Sequence, residues 1–286
     1  MTIFSKIFGS PQEQALSHVT SLSAGGPIDP RTRVTLNFHP SLPVLRKLVE
    51  DGCFHSQFVT GTSNGGLTAH PGGDRWRWES RIFGGAYDHA PADERPVYGA
   101  LNFRRKSVGA APRFGSAHFR LTEDVLARTT FCYPDSHFEP SAFGVASRMA
   151  LIAMAEADDR DALDDYIEAQ VHGPVRLDRD VAALVLDPSH RGTVVEAEAH
   201  RLPCPIEWHA GFRLTIDRLR RYPDYRGREY VDLAAEIAVD GRLDPRILGM
   251  ADGHDPQALK KVWHYLARFG SPREESVPGS AGPCCS

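Results

Sequence analysis

The spacing of apolar and polar residues divides the chain into a strand-rich stretch followed by a helical one. Arg31 to Phe38 (RTRVTLNF) alternates with a period of two, which sends successive side chains to opposite faces of a strand. Leu42 to Glu50 has apolar residues three and four apart and stops at Gly52, the spacing of an amphipathic helix. Runs rich in Phe, Val and Thr, separated by Gly and Pro, predict strands over Phe54 to Thr60, Arg95 to Phe103, Arg113 to Leu121 and Thr129 to Tyr133. Ser141 is placed to cap a helix running to about Ala157, with Phe143, Met149, Ile152 and Met154 as its apolar positions. Asp165 to Leu177 alternates again, with Tyr166, Glu168 and Gln170 on one face and Ile167, Ala169 and Val171 on the other. After a strand over Ala182 to Leu186, helices are expected at Val194 to Arg201, Ile216 to Arg221, Tyr230 to Val239 and Pro256 to Phe269. The last carries both end signals, Asp255 and Pro256 at its start and Gly270 just past its end.

The pattern predicts an α+β fold with a β-rich core over about 31–190 and a helical extension over about 191–270. Residues 1–30 are expected to be a flexible segment and 271–286 a disordered tail. No internal repeat is found, and 31–270 is expected to be a single domain; the protein is expected to act as a monomer. At 286 residues, 41% apolar and 24% charged, the chain is long enough to bury a core, and its composition excludes collagen, coiled coil and wholesale disorder. A formal charge of −4 gives no global attraction to nucleic acid or an anionic membrane, and neither partner is expected. No apolar run approaches membrane-spanning length, and the amino terminus has no h-region of a Sec-type signal. The cysteines Cys53, Cys132, Cys204, Cys284 and Cys285 are dispersed without a CxxC pair, and the histidines lack ligand spacing, so no metal site is expected.

Glycine is concentrated between Gln57 and Asp88, where Gly61, Gly65, Gly66, Gly72, Gly73, Gly84 and Gly85 let the backbone approach a ligand closely. Small hydroxyls lie among them and Arg75, Arg77 and Arg81 follow, a mixture of amides and planar forks suited to pyrophosphate. Within the segment, Gly61-Thr62-Ser63-Asn64-Gly65 fits the G-x-S-x-G form of a hydrolase nucleophile elbow. The elbow requires a helix directly after the nucleophile, and residues 66–73 are poor in helix formers. A serine hydrolase using Ser63 is therefore the alternative reading. A noncatalytic module binding an anionic partner through arginines such as Arg218, Arg220 and Arg221 is a third.

Taken together, TGTSNGGLTAHPGGDRWRWESRIFGGAYD, RPVYGALN, RFGSAHFRLT, YIEAQVHGPV and LKKVWHYLARFG resemble a bacterial domain family over roughly residues 30–270. It is the CteC-like effector family of ubiquitin threonine ADP-ribosyltransferases. The resemblance implies an ADP-ribosyltransferase-like core, NAD+ as co-substrate, host ubiquitin as protein partner, and export from the bacterial cytoplasm to a host cytosol. Thr60, Gly61, Thr62, Ser63 and Asn64 fall where related enzymes carry a ribose-binding residue followed by Gly-Thr or Gly-Ser. Phe83 and Tyr87 belong to a stretch whose Tyr packs on nicotinamide, Arg75 and Arg81 would hold pyrophosphate, and Ser116 matches the core serine. Glu168 matches the late catalytic glutamate, with Gln170 beside it. The pattern departs from the family's relatives at two points: Thr60 stands where an Arg or His is usual, and the paired motif runs Glu then Gln. An Asp–Glu pair is implied instead, with Asp74 as the second catalytic carboxylate and Asp88 behind it.

Overall fold

The computed structural model describes residues 9–61 and 68–270. Its strands include β1 (Val34–Phe38), β2 (Cys53–Phe54), β3 (Val97–Leu101), β4 (Ala117–Leu121), β5 (Thr129–Tyr133), β6 (Ala142–Val145), β7 (Ile167–Val171), β8 (Val175–Arg176), β9 (Val181–Leu186) and β10 (Ile206–Trp208). Eight of these form one mixed sheet in the order β10-β9-β4-β1-β3-β7-β5-β6, and β2 pairs with β8 apart from it. The pairing is antiparallel except between β10 and β9. With helices around this sheet, the fold is α+β.

Period-two alternation gives the sheet two chemically different faces. Leu36, Phe119, Phe131, Ile167, Ala169 and Leu184 lie on one face and form the main apolar core. The other face carries, in register from β4 through β1, β3 and β7 to β5, the row Arg120, Thr35, Ala100, Glu168 and Cys132. Beside that row stand Tyr98, Gln170 and Thr130. A polar sheet face is stable when covered only if its groups find partners. Here residues 108–111 cross it, with Ala110 N donating to Thr35 Oγ1 at 2.9 Å and Asn37 Nδ2 donating to Val108 O at 2.9 Å. Gly115 follows this strap with no room for a side chain, since a Cβ there would stand 2.0 Å from the Phe38 carbonyl carbon. Further out, the helix Pro256–Phe269 places Trp263, 1% exposed, so that its Nε1 donates to Pro112 O at 3.0 Å.

That helix has the expected cap, with Asp255 accepting from Gln257 N and Ala258 N. Four segments differ from the sequence pattern. Where residues 1–30 are expected to be flexible, a helix spans Pro11–Leu22, closed by a capping box between Ser10 and Glu13 and burying Ala15 and Val19. Phe54 to Thr60 is a short strand followed by a helical turn, Gln57–Thr60, that puts Phe58 beneath the Arg95 guanidinium at 4.1 Å. The predicted helix from Ser141 is instead strand β6 and then a shorter helix, Leu151–Ala157. Pairing overrides propensity there: β6 fills the ladder of β5, with Phe143 opposite Cys132 and Val145 opposite Thr130. Inside the glycine-rich segment a helix runs from Asp74 to Ile82. Its inward stripe is Arg75, Trp78, Glu79 and Ile82, spaced as a helix requires but half charged, which hides it from a search for apolar periodicity. Among the described residues, no helix is long and apolar enough to cross a membrane.

Candidate functional site

At the centre of the polar face Ala100 stands opposite Glu168 of the next strand and is packed against Ala110, Ala111 and Tyr166. Glu168 is 7% exposed and held from three sides. Gln170 Nε2 donates to its Oε1 at 3.0 Å, Ser136 Oγ donates to its Oε2 at 2.9 Å, and the Cys132 thiol lies 3.7 Å from Oε1. Burial pushes this carboxyl above its ordinary value, Arg75's charge opposes the rise, and Asp135's charge adds to it. Asp135 is itself buried, accepting from the Tyr166 hydroxyl and from His137 N. The β5 end and the turn after it thus bring a serine and a second carboxylate to Glu168.

Arg75 supplies the opposite charge. Its guanidinium stacks over Tyr98 at 4.4 Å and beside Trp78 at 5.4 Å, while Nε and Nη1 are buried without a hydrogen-bond partner. Two buried donors left unpaired on an arginine whose charge acts on Glu168 suit a ligand oxyanion. Tyr98 is fixed in turn by donating to Glu79 Oε1 at 2.7 Å, and Glu79 pairs with Arg95 at 2.5 Å.

Behind Glu168 runs a chain of hydrogen bonds whose donors all point the same way. Thr130 Oγ1 donates to Gln170 Oε1 at 2.9 Å, so its oxygen must accept from His172 Nε2, 3.0 Å away. His172 Nδ1 is then left to accept from the Tyr87 hydroxyl at 2.7 Å. The ring is neutral, because burial, and then Arg128's charge, lowers its pKa to about 3. The sequence Tyr87, His172, Thr130, Gln170 fixes the amide and hence the carboxylate that it contacts.

The structure thus brings Glu168, Gln170 and Arg75 together and separates other expected residues from them. Thr62, Ser63 and Asn64, and with them the Ser63 elbow, lie outside the described residues. Thr60 and Gly61 close the turn Gln57–Thr60, with Gly61 in the left-handed conformation at φ 60°. Phe83 and Tyr87 are fully buried, and Tyr87 is stacked on His172 with its hydroxyl engaged, so the ring expected to face nicotinamide supports the core from beneath. Ser116 is buried at the β4 end and its carbonyl accepts from His209 Nε2, away from Glu168 in the sheet order. Arg81 is half exposed and pairs with Glu139 at 3.6 Å, tying its helix to the turn that holds Ser136. Asp74, expected as the second carboxylate, is 78% exposed and bound to Arg77 across one helical turn. Asp88 accepts from Ser80 Oγ. Asp135, absent from the sequence-derived set, is the carboxylate whose charge reaches Glu168. A Pro-Asp-Ser run after a strand is an ordinary turn signal, so nothing local singles it out.

A family model described as Protein of unknown function (DUF3626) matches residues 33–156 and 142–267, segments that together span the sheet and most of the helical region. No curated protein matches the chain.

Proposed function

The chain belongs to the DUF3626 family, and from that premise we propose that it is an NAD+-dependent mono-ADP-ribosyltransferase acting on a protein hydroxyl, a threonine of ubiquitin. The observation that carries this reading is the pinned Glu168 carboxylate under the charge of Arg75, two of whose guanidinium nitrogens are buried without a partner. It supports an ADP-ribosyltransferase-like use of the polar face, with a carboxylate for developing positive charge and an arginine for diphosphate.

As substrate, NAD+ supplies a glycosidic bond whose leaving group is neutral nicotinamide. In the transfer, the C1′–nitrogen bond of the nicotinamide ribose breaks and its electron pair leaves with nicotinamide. The acceptor oxygen bonds to C1′, and its proton passes to a carboxylate. Glu168, ionised, stabilises the positive charge developing on the ribose. Asp135 replaces the exposed Asp74 as our assignment for the second carboxylate, since its charge already acts on Glu168. Arg75 neutralises phosphate oxygens, and Tyr98 holds that guanidinium in place.

Incubating the protein with NAD+ and purified ubiquitin, followed by intact-mass measurement, tests the reading. A gain of one ADP-ribose on a ubiquitin threonine is the expected result. Nicotinamide release without that gain overturns the target, and no NAD+ turnover with any protein acceptor overturns the reaction. The hydrogen-bond chain adds a second expectation. Thr130→Val keeps the shape but removes the hydroxyl that links His172 to Gln170. Transfer should slow about tenfold in kcat with little change in the KM for NAD+, and stability should fall by about 1–3 kcal/mol as His172 Nε2 loses its acceptor. An unaltered kcat would show that the chain does not position Glu168.

A further inference from the structure

On the same sheet face, beyond the 108–111 strap, lies a recess that the reactions above do not use. It encloses about 340 Å³ and is lined by Arg31 and Arg33 ahead of β1, Arg105 and Lys106 after β3, and His118 and Arg120 on β4. The sheet register brings them together. Arg120 stands opposite Thr35, and Asn102 N donates to Arg33 O at 2.8 Å, which sets the loop after β3 beside the start of β1. The lining holds four arginines that share three carboxylates: Asp29 pairs with both Arg31 and Arg105, Glu123 with Arg33, and Glu207 with Arg120. Every arginine in these pairs is at least 28% exposed, so solvent screens the single-contact pairs, and an entering dianion can displace Glu123 from Arg33 and Asp29 from Arg105. Arg120 holds Glu207 through two bonds of 2.6 Å, which makes Glu207 the stronger competitor.

His118 distinguishes the recess from a merely charged surface. It is 3% exposed, it lines the cavity, and its Nδ1 has no hydrogen-bond partner. A buried polar atom left unpaired costs on the order of 1–3 kcal/mol, which a bound oxygen would relieve. Arg105 adopts the left-handed conformation at φ 54°, uncommon for a residue with a side chain. We propose that this recess binds a phosphate-type anion, free or as the phosphate end of a small phosphorylated molecule, with Arg33, Arg105 and Arg120 around the oxygens and His118 bonding to one of them. The site is independent of the Glu168 chemistry.

Titration calorimetry of the full chain with orthophosphate, pyrophosphate and ribose 5-phosphate, at ionic strength held constant with chloride, tests the assignment. Saturable binding of at least one probe at one per chain is expected. The double variant Arg33→Gln/Arg105→Gln should weaken it at least tenfold, a loss of about 1.4 kcal/mol. Glu207→Gln should tighten it several-fold, because it removes a competing carboxylate and frees Arg120; a purely structural ion pair predicts no such gain. Tighter binding of ribose 5-phosphate than of orthophosphate assigns a phosphorylated small molecule, and the reverse assigns the free anion. Heats no different from chloride, or affinities unmoved in both the double variant and Glu207→Gln, overturn the proposal. Glu168→Gln should leave the binding unchanged, so the outcome is separable from that of the transferase reading.

Discussion

Replacing Glu168 by Gln is expected to lower ADP-ribose transfer by about 10²- to 10⁴-fold while leaving the fold as stable as before, or more so. The two effects diverge because the carboxylate is held against its own preference. Burial raises its pKa, so the folded state favours the protonated form more than the unfolded chain does. By linkage, a group whose folded pKa is raised contributes stability below its unfolded value, and that contribution is lost as pH rises through the folded value. Wild-type stability should therefore fall as pH climbs above the ordinary glutamate range, and Glu168→Gln should flatten that slope. Activity should move the other way, rising over the same window as the carboxylate ionises. The amide keeps most of the contacts: its oxygen accepts from Gln170 Nε2, and its nitrogen donates to Ser136 Oγ once that hydroxyl turns, at the loss of the long 3.4 Å bond from Ser136 N. Measuring nicotinamide release and urea midpoints on both proteins from pH 5 to pH 9 checks the pair of effects. A variant that loses activity only because it loses stability would assign Glu168 a structural role.

The sequence made Glu168 legible because strand alternation is a local property. Reading Asp165 to Leu177 with a period of two put Glu168 and Gln170 on one face, and they are hydrogen-bonded there. Six of the eight strands of the sheet, all but β6 and β10, and the last helix were likewise visible, since each rests on spacing or end signals within a few residues. What stayed hidden depends on pairing between distant segments. Asp135 and Ser136 reach Glu168 only because β5 lies beside β7, which no pattern within the turn itself reveals. The helix Asp74–Ile82 was masked by its composition, its inward stripe carrying Arg75 and Glu79 where most helices carry apolar residues. Tyr87 shows the opposite error: the motif around it matched a ligand-facing residue, but the fold turns its ring inward, onto His172. A motif identifies residue types, whereas facing is decided by packing.

The largest loss of stability is expected at Arg95, away from the proposed chemistry but beneath it. Arg95 is 4% exposed and Glu79 fully buried, with Nη1 donating to Glu79 Oε2 at 2.5 Å and Nη2 donating to the Tyr87 carbonyl at 2.8 Å. Breaking a buried pair by removing one partner leaves an uncompensated charge, so Arg95→Leu should cost about 3–5 kcal/mol. Burial already outweighs the pull of Tyr98 and Arg95 and lifts the Glu79 pKa to about 7. Without Arg95 the pKa rises further, so the variant should be least stable at alkaline pH, where ionisation is forced. Glu79→Gln in the same chain removes the charge to be paired and should restore part of the loss. Urea unfolding of wild type, both single variants and the double variant at pH 6 and pH 8 measures the coupling. Additive losses would show that the two side chains do not act as a pair. Coupling would have a further consequence for the site, since Glu79 also holds the Tyr98 hydroxyl and Tyr98 carries the Arg75 guanidinium. If Arg75 holds the NAD+ diphosphate as proposed, Arg95→Leu should then weaken NAD+ use even where the protein remains folded, because Glu79 fixes the Tyr98 ring over which that guanidinium lies.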